Sequence, residues 1–184
     1  MDEMSALETT ITIPSLETER LLMRAFCQQD LDPFTKMVAD PQVMELATYS
    51  GKLMNRSQAD NWLCMMVGHW HLRGFGIWAV EEKNSGSLIG RIGLQRLIWF
   101  EETELVWMLS RSSWGKGYAF EGASAAVKFG FEKLGLARLS AVIHPENHRS
   151  IKLAERLGMK FIQELDREGI RFYEYQIMPP GAAI

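Results

Sequence analysis

The chain has 184 residues, 23% of them charged, and a formal net charge of −3. That length suits one domain with a sizeable core, and the slightly acidic balance argues against a nucleic-acid binder, which would carry a basic excess. No apolar run approaches the ~20 residues that cross a bilayer, and the start, Met1-Asp2-Glu3-Met4-Ser5, lacks the basic and apolar regions of a signal peptide. The cysteines, Cys27 and Cys64, form neither a metal-type pair nor a disulfide framework, so the expectation is a reduced, cytoplasmic chain.

In chain order, residues 1–10 read as a loose leader ahead of a single domain spanning 1–184. Leu21 to Ala25 alternate as a short strand. Phe34, Met37 and Val38 mark a short helix with Asp30 or Asp32 as its cap and Pro33 in its first turn. Asp40-Pro41 stops it. A polar passage from Thr48 to Lys52 leads to a second helix. Asn55 and Gln58 form a capping-box pattern there, and Trp62, Met66, His69 and Trp70 recur at helical spacing. Gly74 and Gly76 end it. The period then changes to two: Phe75 to Glu82, a turn at Lys83 to Gly86, Leu88 to Leu97, and Glu104 to Leu109 read as an antiparallel meander. A long helix from Phe120 to Leu134 follows, closed by Gly135. Leu139 to Ile143 is a strand and Ser150 to Leu157 a helix ended by Gly158. Two strands, about Lys160 to Leu165 and Arg171 to Met178, finish an α+β domain.

Between the third meander strand and the long helix stands Trp114-Gly115-Lys116-Gly117-Tyr118-Ala119. A strand, a glycine-rich turn and a helix start together form a place for phosphate. Glycines admit close backbone approach, and the first N–H groups of the helix point outward with the positive end of its dipole behind them. The dinucleotide fingerprint is absent, because Phe120 stands where its third glycine belongs. No NTPase loop exists either.

This turn resembles the pyrophosphate-binding motif of the GNAT superfamily of acyl-CoA N-acyltransferases. The neighbouring motifs Leu16-Glu17-Thr18-Glu19-Arg20-Leu21, Gly74 to Val80, Leu88-Ile89-Gly90 and His144-Pro145-Glu146-Asn147 are similar to its RimJ/RimL-like branch, with Ser150 and Leu157-Gly158-Met159 following in order. Trp114 departs from the superfamily's Gln or Arg, which leaves phosphate binding to backbone N–H groups. The resemblance implies a central, mostly antiparallel mixed sheet with splayed strands, flanked by about four helices. It implies acetyl-CoA as co-substrate in the splay. The pyrophosphate would lie on Gly115 to Ala119, the pantetheine along Met108, Leu109 and Ser110, and Asn147 would reach the pantetheine arm. Asn147 reads equally as a helix cap.

Acetyl transfer from a thioester to an amine requires a neutral amine in line with the thioester carbon, a donor for the oxyanion and a proton for the thiolate. Leu109 N–H is the expected oxyanion donor. Glu104 matches the position of a family general base, and burial among Trp99, Phe100 and Trp107 would suit it to that work. Asp166 and Glu168 are the alternatives. The tyrosine that serves as acid in many members is replaced by Ala154, so Ser150 is the candidate near the sulfur, with a plain helix-start role as its competing reading. Tyr118 reads as packing. His69 and His71 lie on different helix faces, and no metal is expected. The expected partners are acetyl-CoA and an amine acceptor, a protein N-terminus or a small-molecule amine, with no nucleic acid and no membrane. The chain is expected as monomer or homodimer. The competing function is a non-catalytic acyl-CoA sensor or scaffold on the same fold.

Overall fold

The computed structural model describes residues 12–46 and 51–181. The expected leader and part of the Thr48–Lys52 passage lie outside the described residues. Among the described residues, eight strands form one sheet: β1 (Leu16–Glu17), β2 (Leu21–Arg24), β3 (Ile77–Glu82), β4 (Ser87–Gln95), β5 (Glu104–Leu109), β6 (Leu139–Ile143), β7 (Lys160–Arg167) and β8 (Ile170–Ile177). Their order across the sheet is β1-β2-β3-β4-β5-β6-β8-β7. Every neighbouring pair is antiparallel except β5 and β6, which are parallel and share the single matched pair Glu104↔Ser140. Beyond that pair the two strands part, and this is the splay.

Strand alternation divides the core in two. Ile77, Ala79 and Met108 turn toward α1 (Leu31–Val38), α2 (Pro41–Met44) and α3 (Arg56–Arg73). Trp78, Val80, Ile92, Leu94, Leu105 and Leu109 turn toward α4 (Tyr118–Glu132) and α5 (His148–Arg156). The α4 side is centred on an aromatic cluster in which Trp78 lies 4.9 Å from Trp70 and 5.1 Å from Phe129.

Local chemistry accounts for the boundaries. Asn55 and Gln58 complete the capping box of α3, with Gln58 N–H donating to Asn55 Oδ1 at 3.0 Å and Asn55 N–H to Gln58 Oε1 at 2.9 Å. Gly158 ends α5 with Gly158 N–H on Glu155 O and Met159 N–H on Ala154 O, both at 3.0 Å. Among the described residues there are five α-helices, close to the expected count of about four. The extra one, α2, starts where a stop was expected: Pro41 sits in its first turn and Asp40 Oδ1 accepts the Gln42 N–H at 2.9 Å. The side chain of Asp30 does not cap α1. It takes a two-pronged pair from Arg24, at 2.8 and 2.9 Å, and the Cys27 N–H at 2.9 Å.

That pair makes stability depend on pH. Burial pushes the Asp30 carboxyl up, but the Arg24 guanidinium and the Cys27 N–H hold it below the usual range. A folded-state pKa lower than the unfolded one stabilises at neutral pH, and that contribution disappears as pH falls through the folded value, below the ordinary ~3.9. Asp30→Asn is expected to lower stability at pH 7 by about 1–2 kcal/mol, since Arg24 stays paired with Glu81 at 2.8 Å. It should also flatten the acid decline below about pH 4. Thermal midpoints of both proteins from neutral to acid pH check this.

Candidate active site

The site is built on the edge of β5 that β6 leaves open. Ser110 N–H donates to Ile89 O at 2.8 Å, in register with the Gly90↔Leu109 pair. Antiparallel residues alternate in which neighbour they bond, so Ser110 and Met108 turn their N–H and C=O groups to β4. Trp107 and Leu109 turn theirs to the splay. The Ser140 N–H bonded to Thr103 O at 3.0 Å confirms that parity at the closed end. Of the expected groups near Met108, Leu109 and Ser110, the Ser110 N–H is occupied by β4, and the backbone groups facing the open edge are those of Leu109 and of Trp107.

The glycine turn lies just past the open end. A short 3-10 turn, Arg111–Ser113, leads from β5 to it. Trp114 packs against both core clusters, its indole N–H donates to Leu109 O at 2.9 Å, and the Arg149 guanidinium lies 4.5 Å over its ring. Trp114 therefore ties the turn to the end of β5. Gly115 and Gly117 take φ of 74° and 83°, the left-handed region where a side chain is strained. Among the described residues, no hydrogen bond takes up the N–H of Gly115, Lys116, Gly117, Tyr118, Ala119 or Phe120. Tyr118 points its side chain inward, where its hydroxyl donates to the Glu82 carboxylate. That bond holds the Glu82 carboxyl below its usual range and pushes the Tyr118 hydroxyl up. Only the backbone of Tyr118 faces the turn.

Glu104 is 3% exposed and accepts from Gln95 Nε2 at 2.7 Å. Its face is that of Val106 and Met108, toward α1–α3. The expectation that Trp107 surrounds it is corrected: three positions along a strand lie on opposite faces, and Trp107 packs with the α4–α5 cluster. Around Glu104's face stand Trp62, with the Arg91 guanidinium 4.4 Å over its ring, and Phe34, 5.7 Å from Trp62. Trp99 and Phe100 pair at 5.4 Å, and Arg167 of the β7–β8 hairpin lies 4.4 Å over Trp99. Asp166 and Glu168 are exposed at that hairpin's tip, where Asp166 Oδ1 accepts the Gly169 N–H at 3.1 Å.

Ser150 sits on the other side of β5. Its hydroxyl oxygen accepts from the Trp107 indole at 3.1 Å, and its N–H donates to Asn147 Oδ1 at 3.1 Å. Asn147 is thus the cap of α5, and its Nδ2 donates to Leu46 O at 3.0 Å. Glu104 and Ser150 face the β5 edge from opposite sides of the sheet. Sequence reasoning missed two features here. One is Glu174, 2% exposed, which accepts from Ser140, Gln163 and Gln176 on Glu104's side of the sheet. The other is the pair Arg20–Glu121, whose partners stand 101 residues apart with no local pattern to join them. Among the described residues, no group of three or more His, Cys, Asp or Glu side chains is placed to hold a metal ion.

Comparison with known proteins agrees with this architecture. The acetyltransferase (GNAT) domain profile matches residues 20–160. The Bacillus subtilis protein YkkB is 33% identical over 156 residues, covering 79% of this chain and 85% of its own. The N-acetyltransferase YoaA of the same species is 30% identical over 169 residues, 89% of each chain. An acetyltransferase from Agrobacterium tumefaciens superposes with a TM-score of 0.80 at 29% identity, covering 92% of this chain and 96% of its own. Two more distant structures share the fold. RimL, a ribosomal L7/L12 α-N-protein acetyltransferase in complex with coenzyme A, has a TM-score of 0.75 at 12% identity, over 90% of this chain and 98% of its own. A Vibrio cholerae spermidine N-acetyltransferase in complex with CoA and spermine has 0.71 at 18%, over 88% and 96%. With its turn, its splayed strands and these relatives together, the chain belongs to the GNAT acetyltransferases.

Proposed function

We propose that this chain is a single-domain, acetyl-CoA-dependent N-acetyltransferase of the RimJ/RimL-like branch that acetylates a primary amine by direct attack within a ternary complex. The observation that carries the reading is the continuity of the outward-facing N–H groups of Gly115 to Ala119 with the open edge at Leu109 and Trp107. A pyrophosphate fits the first and an amide-bearing pantetheine arm pairs with the second as an added strand would. RimL and the spermidine acetyltransferase, which share the fold, are each in complex with CoA, which supports CoA as the ligand.

In this reading the amine approaches from the α1–α3 face, where Glu104 takes its proton. Leu109 has its carbonyl engaged by Trp114 and offers its N–H to the developing oxyanion. Ser150 accepts from Trp107 and so keeps its own O–H hydrogen to donate toward the departing sulfur. Asn147 holds Ser150 by capping α5, and beyond its bond to Leu46 O it retains a second amide hydrogen for the pantetheine arm. Base and acid on opposite faces of one strand edge suit a reaction in which the amine arrives on one side and the thiol leaves on the other. The acceptor is a protein N-terminus or a small-molecule amine. The chain is read as cytoplasmic: Cys27 and Cys64 are free, and among the described residues no helix is long and apolar enough to cross a membrane.

An acceptor panel of peptides with free N-termini, polyamines and small monoamines, incubated with acetyl-CoA and followed by mass detection, tests this. Acetylated product from at least one amine class is expected. CoA binding with no acetylated amine would favour a scaffold.

A further inference from the structure

We propose that Arg20 is a positioning residue for the pyrophosphate grip: it holds the Lys116 carbonyl behind the turn and thereby aims the Gly117 N–H at the ligand. The inference rests on the acetyl-CoA reading above. Arg20 lies between β1 and β2, far along the chain from the turn, yet it is tied to the turn at several points. Its Nη1 donates to Lys116 O at 2.9 Å. Its Nε and Nη2 meet Glu121 Oε2 at 2.7 and 2.6 Å, and its own backbone N–H donates to Glu121 Oε1 at 2.8 Å. Its guanidinium carbon stands 4.6 Å over the Tyr118 ring. Thr18 completes the arrangement, with its Oγ1 donating to Glu121 Oε1 at 2.6 Å and accepting the Leu21 N–H at 3.0 Å.

An exposed ion pair adds little to stability, and Arg20 keeps 43% of its side chain exposed. The geometry points to orientation instead. The peptide joining Lys116 and Gly117 is planar and trans, so its C=O and N–H point in opposite directions. Gly117 is free to rotate where other residues are not, and Gly115 stands on the other side of Lys116. An unanchored peptide at this place samples both orientations, one of which turns a carbonyl oxygen toward the phosphates. The Arg20 hydrogen bond selects the orientation that presents the N–H. Glu121, in the first turn of α4, fixes the guanidinium in turn.

The test compares CoA with pantetheine, which lacks the pyrophosphate, by calorimetry. Arg20→Ala is expected to weaken CoA binding about ten- to hundredfold, the loss of one hydrogen bond from a charged group. The ratio of pantetheine Kd to CoA Kd falls accordingly, and in turnover KM for acetyl-CoA rises while kcat changes less than about twofold. Arg20→Lys, which retains a donor for the Lys116 carbonyl, recovers much of the ratio. Glu121→Gln, which releases the Arg20 charge, weakens CoA binding as well. An unchanged ratio in Arg20→Ala overturns the proposal, because a purely structural defect weakens both ligands alike. Tighter CoA binding by Glu121→Gln overturns it too, since a freed guanidinium would then be touching phosphate directly. Failure of the unaltered protein to bind CoA rejects the acetyl-CoA reading and this inference with it. CoA binding with an unchanged ratio rejects the inference alone.

Discussion

With Glu104 as the proposed general base, Glu104→Gln is expected to lower kcat/KM by about a hundredfold or more, the usual contribution of a positioned base, while KM for acetyl-CoA stays close to its original value. The substitution removes one charge and keeps the shape, so the Gln95 contact and the β4–β5 pairing survive. Because a base works only when deprotonated, activity of the unaltered protein is expected to decline on the acid side of its pH–rate profile. That acid-side decline disappears in the variant. Burial at 3% exposure, on the face that α1–α3 cover, is what separates Glu104 from the exposed Asp166 and Glu168. Asp166→Asn and Glu168→Gln therefore keep the decline. A Glu104→Gln enzyme with an unchanged pH–rate profile would sink the assignment.

Gly90→Ala destabilises by about 3 kcal/mol, at the upper end of what overpacking does, and lowers turnover with it. A Cβ at position 90 would stand 2.3 Å from Met108 O and 2.8 Å from Leu109 Cα. Those are backbone atoms, so no side-chain rotation relieves the contact, and β5 has to move away from β4. The Leu109 N–H and the carbonyl that anchors Trp114 move with it. For a domain of this size the loss lowers Tm by roughly 6–12 °C. By contrast, an added Cβ at Gly68 in α3 meets nothing within 4 Å. Scanning calorimetry of Gly90→Ala beside the unaltered protein decides the point, and a Tm within a degree of the original contradicts it.

Much of this arrangement is local and therefore readable from neighbouring residues. The capping box at Asn55 and Gln58, the glycine stop at Gly158 and the meander from Ile77 to Leu109 each depend on residues close in sequence. The glycine turn is readable for the same reason. The α2 helix escaped because Asp40-Pro41 carries two meanings, an end for the preceding helix and a capped start for the next. Proximity in sequence groups Trp107 with Glu104, whereas strand alternation places them on opposite faces. The open edge at Trp107 and Leu109 depends on which residues β4 has already bonded, a fact of register. The contacts of Arg20 with Lys116 and Glu121, like that of Trp107 with Ser150, join segments far apart, and nothing in either segment names the other.

The most direct test of acetyl transfer at this site is thiol release measured together with acetylated product. With acetyl-CoA, the protein and an acceptor amine from the panel, free CoA thiol and acetylated amine are expected to appear in equal amounts, and omission of the amine is expected to leave the thiol at the background rate. CoA bound by the protein, with no thiol released above background for any amine, would contradict catalysis and leave a protein that holds acyl-CoA without turning it over.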